Sequence, residues 1–316
     1  MGPRVKLVSL LTGAVALSVS LIGFIATVTG IVLVVFGLVS LLIYHQEHVL
    51  YIPVVMGYRT VDDNPEGYRS PTEWGVEHDD FRVETKDGES IHCWRIRGIN
   101  STATIIFCHE NAGNIGLRVN NLVAMSRHLS VDVVAFDYRG YGSSSGKPSE
   151  AGLLLDTEAV YNYVVKSFQP KNIYIYGRSL GGAVALQFAS NSVEKPNLRG
   201  VIAENTFTSI SAMVGSIFPP LDIWIVKKYF LRLRWETDKV VGNIPVPMLL
   251  ISGLRDEIVP ASQMADLHRI CKQCERSVEL AEFPEGKHND TWVLGGQEYW
   301  NKQRSFLAKN IGGNYL

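Results

Sequence analysis

The pentapeptide G-R-S-L-G at residues 177–181 constrains the fold of this chain more than any other stretch of its sequence. A short run of mainly apolar, strand-forming residues precedes it at 172–176, and small apolar residues follow it at 182–189. The first run is typical of a buried parallel strand, and the second of a helix packed on a sheet. The pentapeptide then predicts a sharp strand-to-helix turn in which glycines avoid a clash and Ser179 is presented as a nucleophile. A buried structural serine in a tight turn is the alternative.

Strand-like and helix-like runs alternate along the chain after residue 80. The first two strands form an antiparallel pair joined by the turn at 86–88. The alternation predicts an α/β fold with a mostly parallel central sheet flanked by helices on both faces. The expected strands are 81–85, 90–97, 102–108, 131–136, 172–176, 201–203, 248–251 and 277–283, and the expected helices are 115–129, 150–168, 261–276 and 297–309.

The segment 7–44 contains no charged residue. About 20 apolar residues span a bilayer as a helix, so this segment is long for one span and short for two. It is also too long for the apolar core of a signal peptide. The sequence therefore divides into an N-terminus at 1–6, a membrane-embedded segment at 7–44, an irregular connector at 45–80 with several prolines and glycines, and a catalytic domain at 81–316.

The orientation of the membrane segment follows from its flanking charges. Arg4 and Lys6 precede it, whereas no Lys or Arg lies close behind it, and this asymmetry predicts that residues 1–6 are cytosolic. A single span then carries the catalytic domain to the lumen or outside, as a type II membrane protein, and this arrangement is favoured. A hairpin bent near 27–30 would return the domain to the cytosol and remains the alternative. A glycosylation sequon at Asn289, beside the expected active site, counts slightly against a lumenal domain.

The composition excludes several classes of function. Lys and Arg number 30 and Asp and Glu 31, with no long basic run, which argues against nucleic acid as a partner. Neither a P-loop nor a dinucleotide fingerprint is present, and no spacing resembles a metal-ligand set, so we expect no cofactor and no metal. The four cysteines are too few for a disulfide scaffold, and the pair Cys271 and Cys274 is expected to be incidental. The expected partners are the lipid bilayer and an acylated protein or lipid substrate.

A serine nucleophile needs a base to accept its proton and an acid to orient that base. In α/β-hydrolases these residues follow the serine in the order Asp or Glu, then His. Asp256 comes after the expected strand 248–251 and a Gly turn, and His288 lies in the loop after the last strand. The other downstream histidine, His268, falls inside an expected helix. The sequence therefore predicts a triad of Ser179, Asp256 and His288, with a turn or helix-capping role for Asp256 and a plain loop histidine at 288 as the alternatives.

Acyl transfer also requires donors for the oxyanion of the tetrahedral intermediate. The expected donors are the backbone amide of Leu180, next to the nucleophile, and that of Asn111, in the loop after the strand at 102–108. His109 precedes the serine in the chain and is expected to support this loop rather than act as the base. Glu110 lies beside the expected donors, where its carboxylate would oppose the developing charge if the side chain turned inward.

Residues 209–243 interrupt the alternation between two expected strands. The stretch contains Phe218, Pro219, Pro220, Trp224, Lys227, Lys228, Tyr229, Phe230 and Trp235. An insert at this position can cover the site as a lid, and an aromatic cover suits an acyl chain. Alternatively, these aromatic side chains pack as ordinary core or touch the membrane surface.

Several motifs together resemble those of the alpha/beta hydrolase domain-containing protein 13 group. They are H-x-N-A-G-N at 109–114, D-Y-R-G-Y-G at 137–142, G-R-S-L-G-G at 177–182, E-N-T-F at 204–207, S-G-L-x-D at 252–256 and H-N-D-T-W at 288–292. The resemblance covers nearly everything after the membrane segment. It implies a membrane-anchored serine hydrolase related to protein depalmitoylases and other acyl-ester hydrolases, with Ser179, Asp256 and His288 as its triad. The group has Gly where this chain has Glu110, so Glu110→Gly is expected to leave activity unchanged or to raise it.

The sequence thus predicts a membrane-anchored serine hydrolase that cleaves acyl esters or thioesters, with protein depalmitoylation as the favoured reaction. Depalmitoylation requires a cytosolic active site, which a single type II span contradicts. A lipid or small-ester hydrolase fits either side of the membrane. The further alternative is a non-catalytic membrane scaffold that keeps the hydrolase fold, and Glu110 is its only support.

Overall fold

The computed structural model describes residues 2–191, 195, 197–217 and 222–311. Phe218, Pro219 and Pro220 of the expected lid lie outside these described residues. The chain divides into two compact units, Met1–Val49 and Leu50–Leu316.

The first unit is dominated by one helix, α1, at Pro3–Tyr44. Its part Leu17–Tyr44 has 28 residues with a mean hydropathy of 2.6 and is long and apolar enough to cross a membrane. At 1.5 Å per residue this part exceeds the roughly 30 Å of a hydrocarbon core. The bend that a hairpin requires near 27–30 is absent, because the helix is continuous there and the Thr27 hydroxyl donates to the Gly23 carbonyl oxygen at 2.9 Å. A continuous helix favours the single span over the hairpin, and the topology stays a prediction. A short helix, α2 at Gln46–Leu50, follows it.

Among the described residues of the second unit, eight strands form one sheet in the order β1-β2-β4-β3-β5-β6-β7-β8. β2 pairs antiparallel with β1 and β4, and the other neighbours are parallel. The expected α/β fold with a mostly parallel sheet is confirmed. The strands are β1 His78–Glu84, β2 Ser90–Ile96, β3 Thr104–Cys108, β4 Asp132–Phe136, β5 Ile173–Arg178, β6 Leu198–Glu204, β7 Met248–Gly253 and β8 Val278–Phe283.

Helices cover both faces of the sheet because side chains on alternate strand positions enter two separate apolar clusters. One cluster joins the sheet to the helices Glu150–Ser167, Leu180–Ser190 and Ala261–Gln273, and the other joins it to Val119–Leu129 and Gly296–Asn310. In β3, for example, Ile106 belongs to the first cluster and Ile105 to the second, as the two-residue repeat of a strand requires. The helices of this unit are α3 Val119–Leu129, α4 Glu150–Ser167, α5 Leu180–Ser190, α6 Ile210–Ile217, α7 Trp224–Tyr229, α8 Thr237–Val240, α9 Ala261–Gln273, α10 Thr291–Leu294 and α11 Gly296–Asn310.

Residues 50–80 belong to the folded second unit rather than to a loose connector. Tyr51 is buried in the core. Asn64 is also buried, and its side-chain amide exchanges two hydrogen bonds with that of Asn114, at 2.8 and 3.0 Å. The many Pro and Gly residues remove any regular periodicity from this stretch, so its sequence does not reveal these long-range contacts.

The aromatic residues of the insert at 209–243 separate into two groups. Trp235 is fully buried, and its indole N–H donates to the Tyr51 hydroxyl at 3.1 Å. Trp224 and Tyr229, on α7, are 64% and 65% exposed. Trp235 is therefore a core residue, whereas the two aromatic side chains of α7 are exposed.

Candidate active site

Ser179 occupies the turn between β5 and α5 with φ 54° and ψ −121°. This backbone conformation is strained for a residue with a side chain, and it is the conformation of a nucleophile elbow. A Cβ on Gly177 would overlap the Gly181 carbonyl oxygen, and a Cβ on Gly181 would overlap the Cys108 carbonyl oxygen at the end of β3. Gly177 is therefore required by the sharpness of the turn itself, and Gly181 by the close approach of the turn to β3.

Asp256 and His288 form a buried pair in the loops that follow β7 and β8. His288 Nδ1 lies 2.7 Å from Asp256 Oδ2, and the two side chains are 5% and 1% exposed. The other carboxylate oxygen, Oδ1, accepts hydrogen bonds from the backbone N–H groups of Ile258 and Val259 at 2.8 and 2.7 Å. Because an ionised carboxylate can only accept, Nδ1 carries the ring proton in this pair and Nε2 keeps its lone pair. The turn-forming role considered for Asp256 thus coexists with its contact to the histidine.

Asn205, the first residue after β6, connects the loops that hold these groups. Its side-chain nitrogen donates to the carbonyl oxygens of Lys287 and His288, both at 3.1 Å, and its side-chain oxygen accepts from Gly253 N at 2.8 Å. The next residue, Thr206, donates its hydroxyl to the Ser179 carbonyl oxygen at 2.7 Å. Two consecutive residues therefore brace the loops of Ser179 and His288. The E-N-T-F motif contained this signal, but residue type alone gave Asn205 no role.

The serine and the histidine are brought to the same edge of the sheet by the parallel register. Arg178 at the end of β5 pairs with Glu204 of β6, Glu204 pairs with Ile251 of β7, and Gly253 of β7 pairs with Phe283 at the end of β8, so the loops after β5 and β8 leave the sheet at one edge. Ser179 and His288 are 7% and 4% exposed. No hydrogen bond joins the Ser179 hydroxyl to the His288 ring within the described part of the chain. Contacts of this kind are often long before substrate binds.

Two backbone N–H groups beside the serine lack an acceptor among the described residues. Leu180 is the first residue of α5, so its N–H has no partner within the helix. The Asn111 N–H likewise has none, and the Asn111 side chain donates instead to the Leu50 carbonyl oxygen at 2.9 Å. Both amides are thus available as donors to a ligand.

His109 is buried within the loop and contacts its backbone. It is fully buried, and Nδ1 lies 2.6 Å from the Glu110 carbonyl oxygen. Burial lowers the pKa of His109 to about 4, so the ring is neutral and its Nδ1–H donates to that carbonyl. Tyr138 donates to the His109 carbonyl oxygen at 3.1 Å and fixes the same stretch from the other side.

Glu110 is buried and bound by two arginines. One carboxylate oxygen accepts from Arg118 Nε, and the other from Arg178 Nη1 at 3.1 Å. Burial alone would raise the pKa of Glu110, but the charges of Arg118 and Arg178 lower it to about 2. Arg178 in turn donates to Glu204 at 3.0 Å and to Asn121 at 3.1 Å.

These contacts direct the Glu110 carboxylate to two arginines, which argues against the expectation that it opposes an oxyanion. Its negative charge is compensated by the buried Arg178 and the half-buried Arg118, and its backbone is not among those with positive φ, so glycine is not needed there. That Glu110→Gly preserves or raises activity stays a prediction, and the ion pairs add the expectation that this change destabilises the fold, because it would leave Arg118 and Arg178 without their shared partner.

Comparisons with known proteins agree with this architecture. A family model described as alpha/beta hydrolase fold matches residues 103–221. The chain is 34% identical to the alpha/beta hydrolase domain-containing protein WAV2 of Arabidopsis thaliana over 86% of this chain and 90% of the relative. It is 35% identical to an uncharacterized membrane protein of Saccharomyces cerevisiae (86% and 92% covered) and 32% identical to protein bem46 of Schizosaccharomyces pombe (78% and 83%).

Among solved structures, the esterase Pf2001 of Pyrococcus furiosus superimposes with a TM-score of 0.66. It is 22% identical in sequence, and the match covers 83% of this chain and 98% of the esterase. At this identity the likeness establishes the fold.

Proposed function

Since the chain belongs to the alpha/beta hydrolase family, in the alpha/beta hydrolase domain-containing protein 13 group, we propose that it is a serine hydrolase of acyl esters or thioesters. The observation that carries the proposal is the 2.7 Å contact between His288 and Asp256 at the sheet edge where the strained Ser179 lies. A buried, oriented imidazole beside a serine elbow is the arrangement that acyl transfer requires.

In the proposed mechanism, His288 Nε2 accepts the proton of the Ser179 hydroxyl as the oxygen attacks the acyl carbonyl carbon. Asp256 holds the ring in the required tautomer and stabilises its positive charge. The backbone amides of Leu180 and Asn111 donate to the oxyanion of the tetrahedral intermediate. His288 then protonates the departing alkoxide or thiolate. In the second half of the reaction His288 accepts a proton from a water molecule that attacks the acyl-enzyme, and it returns this proton to the departing Ser179 oxygen.

Two features favour a substrate with a long acyl chain. The insert follows β6, and β6 ends beside the site. Within the insert, the aromatic side chains of Trp224 and Tyr229 are exposed. The helix Leu17–Tyr44 is long and apolar enough for a membrane span, which would hold the enzyme near membrane-bound acyl groups. Protein depalmitoylation is the reaction that we favour, by the family resemblance and by this membrane attachment, and hydrolysis of a lipid or small ester is the alternative.

Labelling with a fluorescent fluorophosphonate tests the proposed nucleophile. We expect the wild-type chain in detergent to be labelled, Ser179→Ala to be unlabelled, and Ser216→Ala to be labelled like the wild type. Ser216 is a matched control because it is an exposed serine of the insert. An unlabelled wild type, or equal labelling of Ser179→Ala, would contradict the proposal and favour a non-catalytic scaffold.

The substrate class is tested on the unlabelled wild-type enzyme with p-nitrophenyl esters and matched thioesters of increasing acyl length. We then compare a palmitoylated peptide with a lysophospholipid at equal concentration. Preference for the long-chain thioester and the peptide would support depalmitoylation. Preference for the lysophospholipid would assign a lipid esterase instead.

A further inference from the structure

The three residues Leu50–Ile52 lie against the loop that contains Asn111. The Asn111 side chain donates to the Leu50 carbonyl oxygen at 2.9 Å. Ile52 N donates to the Asn111 carbonyl oxygen at 2.9 Å, and Gly113 N donates to the Ile52 carbonyl oxygen at 2.8 Å. The loop is therefore held by two backbone hydrogen bonds to Ile52, which form a short parallel bridge, and by the hydrogen bond from the Asn111 side chain to Leu50.

A second set of contacts fixes the same arrangement from the interior. Tyr51 is 2% exposed, and its hydroxyl accepts a hydrogen bond from the fully buried Trp235. The Tyr141 hydroxyl donates to the Asn111 carbonyl oxygen at 2.8 Å. That carbonyl oxygen therefore accepts two hydrogen bonds, one from Ile52 and one from Tyr141.

These contacts determine where the Asn111 N–H points. The side chain and the carbonyl group of Asn111 are both anchored, so the rotations about its N–Cα and Cα–C bonds are restricted. The remaining polar group, its N–H, has no acceptor among the described residues. A donor held in place before the reaction stabilises an oxyanion without the cost of reorganisation.

We propose that Leu50–Ile52 is a positioning element of the oxyanion hole. The stretch that begins six residues after the end of α1 at Tyr44 is then a part of the catalytic apparatus rather than a passive tether. The inference rests on the proposed hydrolase function and assigns a role to residues that touch no substrate.

The test compares two proline substitutions in the full-length chain in detergent. Ile52→Pro removes the N–H that donates to Asn111, whereas Val54→Pro changes a 42% exposed residue whose N–H has no acceptor among the described residues. Loss of a whole oxyanion donor costs about 10²–10³ in kcat, so a misdirected donor is expected to cost roughly 10–100-fold. We expect this fall in kcat for Ile52→Pro, with KM for a short ester unchanged, and wild-type kinetics for Val54→Pro.

An oxyanion-specific readout separates positioning from general stability. A trifluoromethyl ketone bound to the serine carries an oxyanion, so its affinity should fall in Ile52→Pro by the same factor as kcat/KM. Ile52→Val retains the N–H and should restore both. Equal kcat and equal ketone affinity in folded Ile52→Pro and wild type would overturn the inference.

Asn111→Ala provides the second variant in case Ile52→Pro does not fold. It keeps the backbone N–H but removes the anchor to Leu50, so kcat and ketone affinity should again fall together. Wild-type values in this variant would also overturn the inference. Failure of the hydrolase assignment itself is recognised separately, by the absence of fluorophosphonate labelling in the wild type.

Discussion

Glu110 allows the most quantitative prediction about this protein. Its pKa is lowered from the ordinary value of 4.5 to about 2 by Arg118 and Arg178, against the opposing effect of burial. At about 1.4 kcal/mol per pKa unit, this difference corresponds to about 3 kcal/mol of folding free energy at neutral pH. Breaking a buried ion pair by removing one partner typically costs about 3–5 kcal/mol, in agreement.

Glu110→Gln should therefore destabilise the second unit by about 3 kcal/mol at pH 7. For a unit of this size, this is a fall of roughly 6–12 °C in the unfolding midpoint. Tryptophan fluorescence reports the transition, because all six tryptophans lie after residue 50. The control is Glu285→Gln, which removes an exposed ion pair with Arg255 and should cost less than about 1 kcal/mol.

The pH dependence of this difference has a definite sign. A carboxylate with a lowered pKa stabilises the fold fully above its ordinary pKa of 4.5, and the contribution is lost as pH falls towards 2. The difference in the free energy of unfolding between wild type and Glu110→Gln should consequently fall to about half its neutral value by pH 3. A midpoint for Glu110→Gln that equals the Glu285→Gln control at pH 7, or a gap that grows in acid, would refute the reasoning.

Three further predictions concern the loops, the insert and the membrane topology. Asn205→Ala should lower kcat by roughly 10-fold with little change in KM, because a base held less firmly is less often aligned, and steady-state kinetics with a short ester checks this. The double variant Trp224→Ser and Tyr229→Ser should raise KM for a long-chain ester at least several-fold and leave KM for a butyrate ester unchanged, because only a long chain reaches exposed apolar surface. Equal effects on both esters would contradict a role of these side chains in acyl binding. If the chain is a type II membrane protein, the exposed Asn100 sequon should be glycosylated in microsomes, and endoglycosidase treatment should change the electrophoretic mobility of the chain. Unchanged mobility together with a protease-accessible C-terminus would place the active site in the cytosol.

Much of the sheet and the identity of the candidate catalytic residues could be predicted from the sequence. Runs of apolar residues predicted the inner parallel strands to within a few residues, because burial on both faces of a parallel sheet demands such runs, and the turn at 86–88 predicted the antiparallel pair before them. Ser179, Asp256 and His288 follow β5, β7 and β8, and their positions after these strands predicted a common edge, since parallel strands end together. The residues around these three were less visible. Residues 50–80 contained too many prolines and glycines for a regular pattern.

What the sequence determined by itself is therefore local: a two-residue strand repeat, glycines where two backbones meet, and a serine on the turn between β5 and α5. The tertiary structure decided the pairing of partners distant in the chain. Asn205 reaches His288 across 83 positions, Glu110 reaches Arg178 across 68, and Asn111 reaches Leu50 across 61. The physical reason is that periodicity and steric demand act between neighbours, whereas a buried polar group takes the partner that packing brings within about 3 Å. From sequence alone, the charge of Glu110 was expected to disfavour catalysis. In the structure its carboxylate accepts a hydrogen bond from Arg178 and so connects the loop of Asn111 to the residue that precedes Ser179.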